Sequence, residues 1–178
     1  MATAATRETR IAHNAFASTG GMDATGRRIL QELQRNGRIS LAELGRRVAL
    51  SPPAVADRVR RLEQAGVITG YSARIDPTRL GLGVLAFIGL APAGVDTGTF
   101  ARRARSAIDL PEVLECHHVT GEDCYLLKVA VRDVLHLEAL VERLSDLGQT
   151  TTAIVLSSPL SARPVLPIDT EALQPEHA

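Results

Sequence analysis

The chain has 178 residues, 45% of them apolar and only 3% aromatic, with a formal net charge of zero. That length holds one large domain or two small ones, and two cysteines, Cys116 and Cys124, give no disulfide framework. No stretch approaches the ~18 apolar residues of a membrane span, and residues 1–21 lack the continuous apolar core of a secretory signal, so the expected setting is the cytoplasm.

The zero charge conceals a division. Residues 1–80 hold 13 Arg against 7 Asp plus Glu, a net +6, while residues 81–178 hold 6 Arg and Lys128 against 13 Asp plus Glu, a net −6. A basic module joined to an acidic one suggests nucleic-acid binding in the first and a different task in the second. The near-total preference for Arg over Lys spans both halves and fits codon composition better than function.

Residues 1–21 are Ala/Thr-rich and end in Gly20-Gly21, which reads as a flexible arm. A first helix is predicted from Asp23 as N-cap to about Asn36, with Ile29, Leu30 and Leu33 on its apolar face. Ser40-Leu41-Ala42-Glu43 has the spacing of a capping box, in which Ser40 accepts from the Glu43 N–H and Glu43 returns to Ser40. Leu41, Leu44 and Val48 then line one face of a second helix. Ser51 as N-cap and Pro52 at the first helical position open a third, whose buried stripe is Val55, Val59 and Leu62. Gly66 ends it, and Val67-Ile68 is expected as a short extended piece. Two helices joined by the tight Ala49-Leu50 turn, with a third bracing them, make a helix-turn-helix over 22–70.

Residues 71–82 form a linker broken by Pro77 and Gly81. Beyond it, VLAFIGLA (84–91), VLECHHVT (113–120), YLLKVAVR (125–132) and TAIVLSS (152–158) read as strands. TFARRARSAI (99–108) and HLEALVERL (136–144) have helical spacing, the latter capped by Asp133 and ended by Gly148. The order β-α-β-β-α-β over 83–160 is that of a ferredoxin-like split unit, four antiparallel strands with helices on one face. A sheet covered on one side should alternate apolar and polar residues. Here Leu85 and Phe87 make the first strand apolar on both faces, so a second copy is the expected cover, in a two-fold dimer. Residues 161–178 contain several prolines and little periodicity, and read as a tail.

With Val55, Val59 and Leu62 turned to the core, Pro53, Asp57, Arg60 and Arg61 fall on the opposite side of the third helix, bordered by Ala54 and Arg58. Ser51, Pro53, Ala54, Asp57 and Arg58 are expected to approach base edges in the major groove. Arg58 or Arg61 suits guanine or a phosphate, while Arg46, Arg47 and Arg60 suit the backbone. Such a helix binds double-stranded DNA with an affinity that falls as salt rises.

Taken together, DATGRRILQELQRNGRIS (23–40), LAELGRRVALSPPAVADRVRRLEQAGVITGY (41–71), IDPTRLG (75–81), ECHHVTGEDCYLL (115–127) and TTTAIVLSS (150–158) resemble the Lrp/AsnC, or feast/famine, family over roughly 22–160. That resemblance implies an α+β protein, with a winged helix-turn-helix joined to a ferredoxin-like βαββαβ domain, often called RAM. It also implies a sequence-specific transcriptional regulator that binds pseudo-palindromic sites as a dimer, assembles to tetramers or octamers, and responds to a small molecule, commonly an amino acid. The family's effector turn corresponds to Gly121-Glu122-Asp123-Cys124-Tyr125. This chain carries Asp123 where an aromatic is frequent and Cys124 where an Asp is frequent, so its carboxylate is displaced by one residue. Gly121, Glu122, Asp123 and Tyr125 are the implied effector residues, with hydroxyls from Thr151, Thr152 or Ser157 on the last strand.

Cys116, His117, His118 and Cys124 match no standard zinc spacing; alternation puts Cys116 and His118 on one strand face and His117 on the other. No metal or other cofactor is expected. No catalytic set is visible either, so the chain is not read as an enzyme. Two alternatives remain: a tetrapyrrole-processing enzyme resembling sirohaem decarboxylase, which shares the fold, and an architectural DNA-binding protein that needs no effector.

Overall fold

The computed structural model describes residues 22–94 and 97–167; the arm expected over 1–21 lies outside them. The chain divides into two units, one of residues up to Ser72 together with those from Ala162, the other Ala73–Ser161.

In the first unit α1 (Ala24–Arg35), α2 (Leu41–Val48) and α3 (Pro52–Gln64) enclose Ile29, Leu44, Val48, Val55 and Val59, with Leu33, Leu62 and Ile68 packed at the edge. Asp23 caps α1 by accepting from the Gly26 N–H at 2.7 Å. Ser40 caps α2 by accepting from the Glu43 N–H at 3.2 Å. The reciprocal half of the expected capping box is not made, because the Glu43 carboxylate turns instead to Arg46 and Arg47. A charged donor outcompetes a backbone N–H for the same oxygens. Ser51 stands at the N-cap of α3 with extended backbone but no side-chain cap bond. The cause is local: a cap hydroxyl accepts from the second or third helical N–H, and Pro53 removes the former.

The far end of α3 also differs from expectation. Val67-Ile68 forms no strand; the Val67 and Ile68 N–H groups donate to the Leu62 carbonyl at 2.9 and 3.1 Å, and Gly66 N–H donates to Glu63 at 3.0 Å. This is a Schellman closure, which needs the left-handed conformation that Gly66 adopts at φ 70°. Ala49 ends α2 in the same region, at φ 56°, where a Cβ is disfavoured. Ala49→Gly should therefore stabilise this unit by about 1 kcal/mol. Thermal melting checks this: each kcal/mol moves the midpoint of so small a unit by roughly 4–8 °C, and a lowered midpoint would show that the turn geometry is otherwise.

The second unit is a four-stranded antiparallel sheet of order β2-β3-β1-β4, built from β1 (Val84–Ala91), β2 (Val113–His118), β3 (Tyr125–Val131) and β4 (Gln149–Ile154). Helices α4 (Thr97–Ala104) and α5 (Val134–Ser145) supply Phe100, Ala104, Leu137, Leu140 and Leu144 to one core with Ala86, Ile88, Leu90, Leu127, Val129 and Val131. The helix predicted over 99–108 stops at Ala104, and a 3-10 turn continues over Arg105–Asp109. Pro111 forces Leu110 to extended backbone, φ −75° and ψ 127°, which ends helical winding. The last strand starts and ends about three residues earlier than expected. Its register against β1 runs from Ala91↔Gln149 to Ala86↔Ile154, and Leu156 beyond it is 95% exposed.

Along β1 the helix-side residues Ala86, Ile88 and Leu90 are fully buried. The opposite face carries Leu85, Phe87 and, across the β1–β3 register, Leu126 and Lys128. Phe87 remains 36% exposed there. No helix among the described residues is long and apolar enough to cross a membrane.

Candidate functional site

The core stripe of α3 fixes which side chains it presents. With Val55 and Val59 buried, Ser51, Pro53, Arg60 and Arg61 are exposed, and Ala54, Asp57 and Arg58 are half-buried along the border. The side chains expected to meet DNA thus share one continuous surface of the helix and its N-terminus. The Ser51 hydroxyl, left without a cap bond, belongs to that surface.

Each arginine of the surface meets a carboxylate. Arg58 lies 2.9 and 2.7 Å from the two oxygens of Asp23. Asp57 stands between Arg60 and Arg61, with the Arg61 contact at 2.7 Å. Glu43 joins Arg46 and Arg47, the latter at 2.9 Å. Arg47 also reaches Glu32 on α1 at 2.6 Å, which makes it a tie between α1 and α2. Among the described residues, Arg46 and Arg61, 78% and 76% exposed, are in contrast paired only with a neighbour on their own helix. Exposed pairs of this kind contribute little to stability because water and salt screen them, so an incoming phosphate can displace the carboxylate at little cost.

Three of these carboxyls, Asp23, Glu32 and Glu43, are held below their ordinary range. Glu32 and Glu43 are lowered chiefly because Arg47 donates to them, and Asp23 first by the Gly26 N–H and then by Arg58. A depressed carboxyl adds stability that is present above its unfolded pKa and lost as pH falls through the folded one. The pairs therefore persist at neutral pH. Glu32 is the residue that reading the sequence missed. It is 8% exposed, and its only signal was a position three residues beyond the buried Ile29, on the edge of the α1 apolar face.

In the second unit the turn between β2 and β3 folds back over β1. Val119 N–H donates to Cys124 at 2.9 Å, Cys124 N–H donates to Leu90 at 2.8 Å, and Gly121 takes φ 122°. The Asp123 carboxylate lies directly over Gly89, where any Cβ would collide with it. Thr151 is paired with Gly89, so Asp123 and Thr151 share the helix-free face of the sheet. Tyr125 and Thr152 pair with Leu90 and Ile88 and belong to the helix-covered side. There Tyr125 stacks on His118, centroids 4.9 Å apart, and tilts against Phe100 at 5.9 Å. Gly121 and Glu122 are exposed at the tip. Within one chain Asp123 and Thr151 are thus on one face of the sheet, and Tyr125 and Thr152 on the other. Ser157 lies beyond the end of β4.

His117 sits on the helix-free face near Glu115 at 3.2 Å, and Lys128 completes the group at 2.8 Å from Glu115. Cys116 packs toward the helix-side core, where burial pushes its thiol up. Among the described residues, no three or more His, Cys, Asp or Glu are placed to hold a metal ion.

Comparison with known proteins follows the same division. Residues 22–69 match the winged helix-turn-helix DNA-binding family, and residues 85–165 match the Lrp/AsnC ligand binding domain. An uncharacterised HTH-type transcriptional regulator of Bacillus subtilis is 44% identical over 137 residues, 77% of this chain and 95% of that protein. The leucine-responsive regulatory protein of Escherichia coli is 38% identical over 139 residues, 76% of this chain and 85% of that protein. Among solved structures, a feast or famine regulatory protein of M. tuberculosis complexed with L-methionine superposes with a TM-score of 0.75 at 36% identity, covering 83% of this chain and all of that one. A transcriptional regulator of Neisseria meningitidis, also in complex with L-methionine, gives a TM-score of 0.75 at 34% identity, over 85% of this chain and 99% of that one.

Proposed function

Because this chain belongs to the Lrp/AsnC family of DNA-binding transcriptional regulators, we propose that it reads pseudo-palindromic sites as a dimer and releases or tightens its hold when an amino acid binds. The observation that carries the reading is the arginine-bearing surface of α3, presented opposite a fully formed core stripe. In this reading α3 enters the major groove with Ser51, Pro53, Ala54, Asp57 and Arg58 toward base edges. Arg61 reaches guanine or a phosphate, Arg46 and Arg60 take phosphates, and Arg47 stays mainly with Glu32 and Glu43. Effective range on DNA comes from two copies, joined through the helix-free sheet face around Phe87 and Leu126; further pairing of dimers gives tetramers or octamers. Its place of action is then the cytoplasm, with the DNA.

For the effector, the two relatives solved with L-methionine favour an amino acid. Asp123 and Thr151 are the pair suited to an ammonium group, since they share the helix-free face at Gly89. Gly121 and Glu122 form the rim; Tyr125 and Thr152, on the other side of this chain's sheet, contribute only from a neighbouring copy. The family is one of regulators and not of enzymes, so the tetrapyrrole-processing alternative is set aside.

Mobility-shift assays titrated with the twenty protein amino acids test this reading. At least one should change DNA affinity or oligomer state, and Asp123→Ala should blunt that response while DNA binding persists. An unchanged response in Asp123→Ala would move the pocket elsewhere. Indifference of the parent to every amino acid would favour the architectural alternative.

A further inference from the structure

The chain leaves the DNA-binding unit after Ser72 and rejoins it at Ala162. Among the described residues, the side-chain hydrogen bonds to the returning segment come from Gln34. The Gln34 carboxamide, near the end of α1, accepts from the Val165 N–H at 2.8 Å and donates to the Val165 carbonyl at 2.8 Å. Its other amide hydrogen is directed at the Leu30 carbonyl, 3.2 Å away and one turn back along α1. Every hydrogen-bonding group of the carboxamide is thereby engaged, and the side chain reads the returning backbone as a neighbouring strand would. Pro164 and Pro167 flank Val165 and are half-buried; by fixing φ they reduce the entropy lost when the segment lies down.

We propose that residues 162–167 are a strap, clipped to α1 by Gln34, and that the strap restricts the reach of the DNA-binding unit. A unit attached by one flexible linker samples a wide range of positions, whereas a second attachment narrows that range. Seven residues separate the end of β4 at Ile154 from the strap, so the chain passes between the two units twice, after Ser72 and after Ser161. In a dimer the consequence is discrimination between half-site spacings. The strap itself does not depend on the functional reading above; its effect on spacing rests on that reading.

Two measurements on the full-length protein test the proposal. In hydrogen–deuterium exchange read by mass spectrometry, the amide of Val165 should be protected in the parent. Gln34→Ala, which places a good helix former at an exposed position, should speed its exchange at least tenfold, and Gln34→Glu, which keeps the acceptor but not the donor, should fall between. An unprotected Val165 in the parent, or protection unchanged in Gln34→Ala, overturns the strap. The second measurement uses a site selected in vitro with the parent and a version with its half-sites moved apart by two base pairs. The parent should prefer the original spacing at least tenfold, and both Gln34→Ala and truncation after Ser161 should reduce that preference severalfold. Equal preference in all three proteins overturns the role in spacing. Failure of the parent to bind any duplex would sink the functional reading and with it the spacing role, while the exchange result still decides the strap.

Discussion

Phe87→Asp should convert the protein from dimer to monomer without unfolding it. Phe87 occupies the centre of the helix-free sheet face, 36% exposed within one chain, and it contributes nothing to the core on the helix side. The introduced carboxylate would lie directly across the strand pair from Lys128, an arrangement a sheet tolerates. In a two-fold interface the same substitution enters twice, and stripping water from each introduced carboxylate costs at least about 2 kcal/mol. Together this weakens dimerisation by roughly a thousandfold or more. Sedimentation analysis reads the mass, and circular dichroism reads the retained fold. DNA affinity should fall as well, since a monomer grips only one half-site. An unaltered dimer would show that the copies meet elsewhere.

The second large effect concerns the reading helix. Arg58→Ala and Arg61→Ala should each weaken binding to a selected site by about 10–100-fold, as removal of an arginine contacting a base edge does, and neither should alter the dimer. Arg58 is bound to Asp23 in the free protein, so a control is needed for its structural role. Asp23→Asn keeps a capping side chain on α1 while removing the carboxylate. It should leave affinity unchanged or raise it. A loss in Asp23→Asn equal to that in Arg58→Ala would mean that Arg58 braces α1 and does not reach DNA. Full-strength binding by both arginine variants would mean that another helix reads the duplex.

Much of this architecture is legible in the residues because local signals and global packing agree. The caps at Asp23 and Asp133, the apolar spacing in α1 to α3, and the βαββαβ order all reappear in the structure. What escaped was decided by competition or by partners distant in sequence. Glu43 fits a capping box, yet two arginines on its own helix hold its carboxylate. Ser51 fits a cap, yet the second proline after it removes a donor. Thr151 and Thr152 look equivalent as neighbours in sequence, but a strand sends them to opposite faces; only the pairing of Thr151 with Gly89 shows which one is on the face of Asp123. Nothing local marks Gln34 as the partner of Val165, 131 residues away. The displacement of β4 has the same origin, because register is a property of the pair of strands.

Mobility-shift titration of genomic fragments, at low ionic strength and again at physiological salt, bears most directly on the claim that α3 delivers this protein to DNA. Discrete retarded species should form on a subset of fragments, weaken steeply as salt rises because phosphate contacts release counterions, and disappear for the combined Arg58→Ala and Arg61→Ala protein. If the parent leaves every fragment unretarded even at low ionic strength, the account is contradicted at its root.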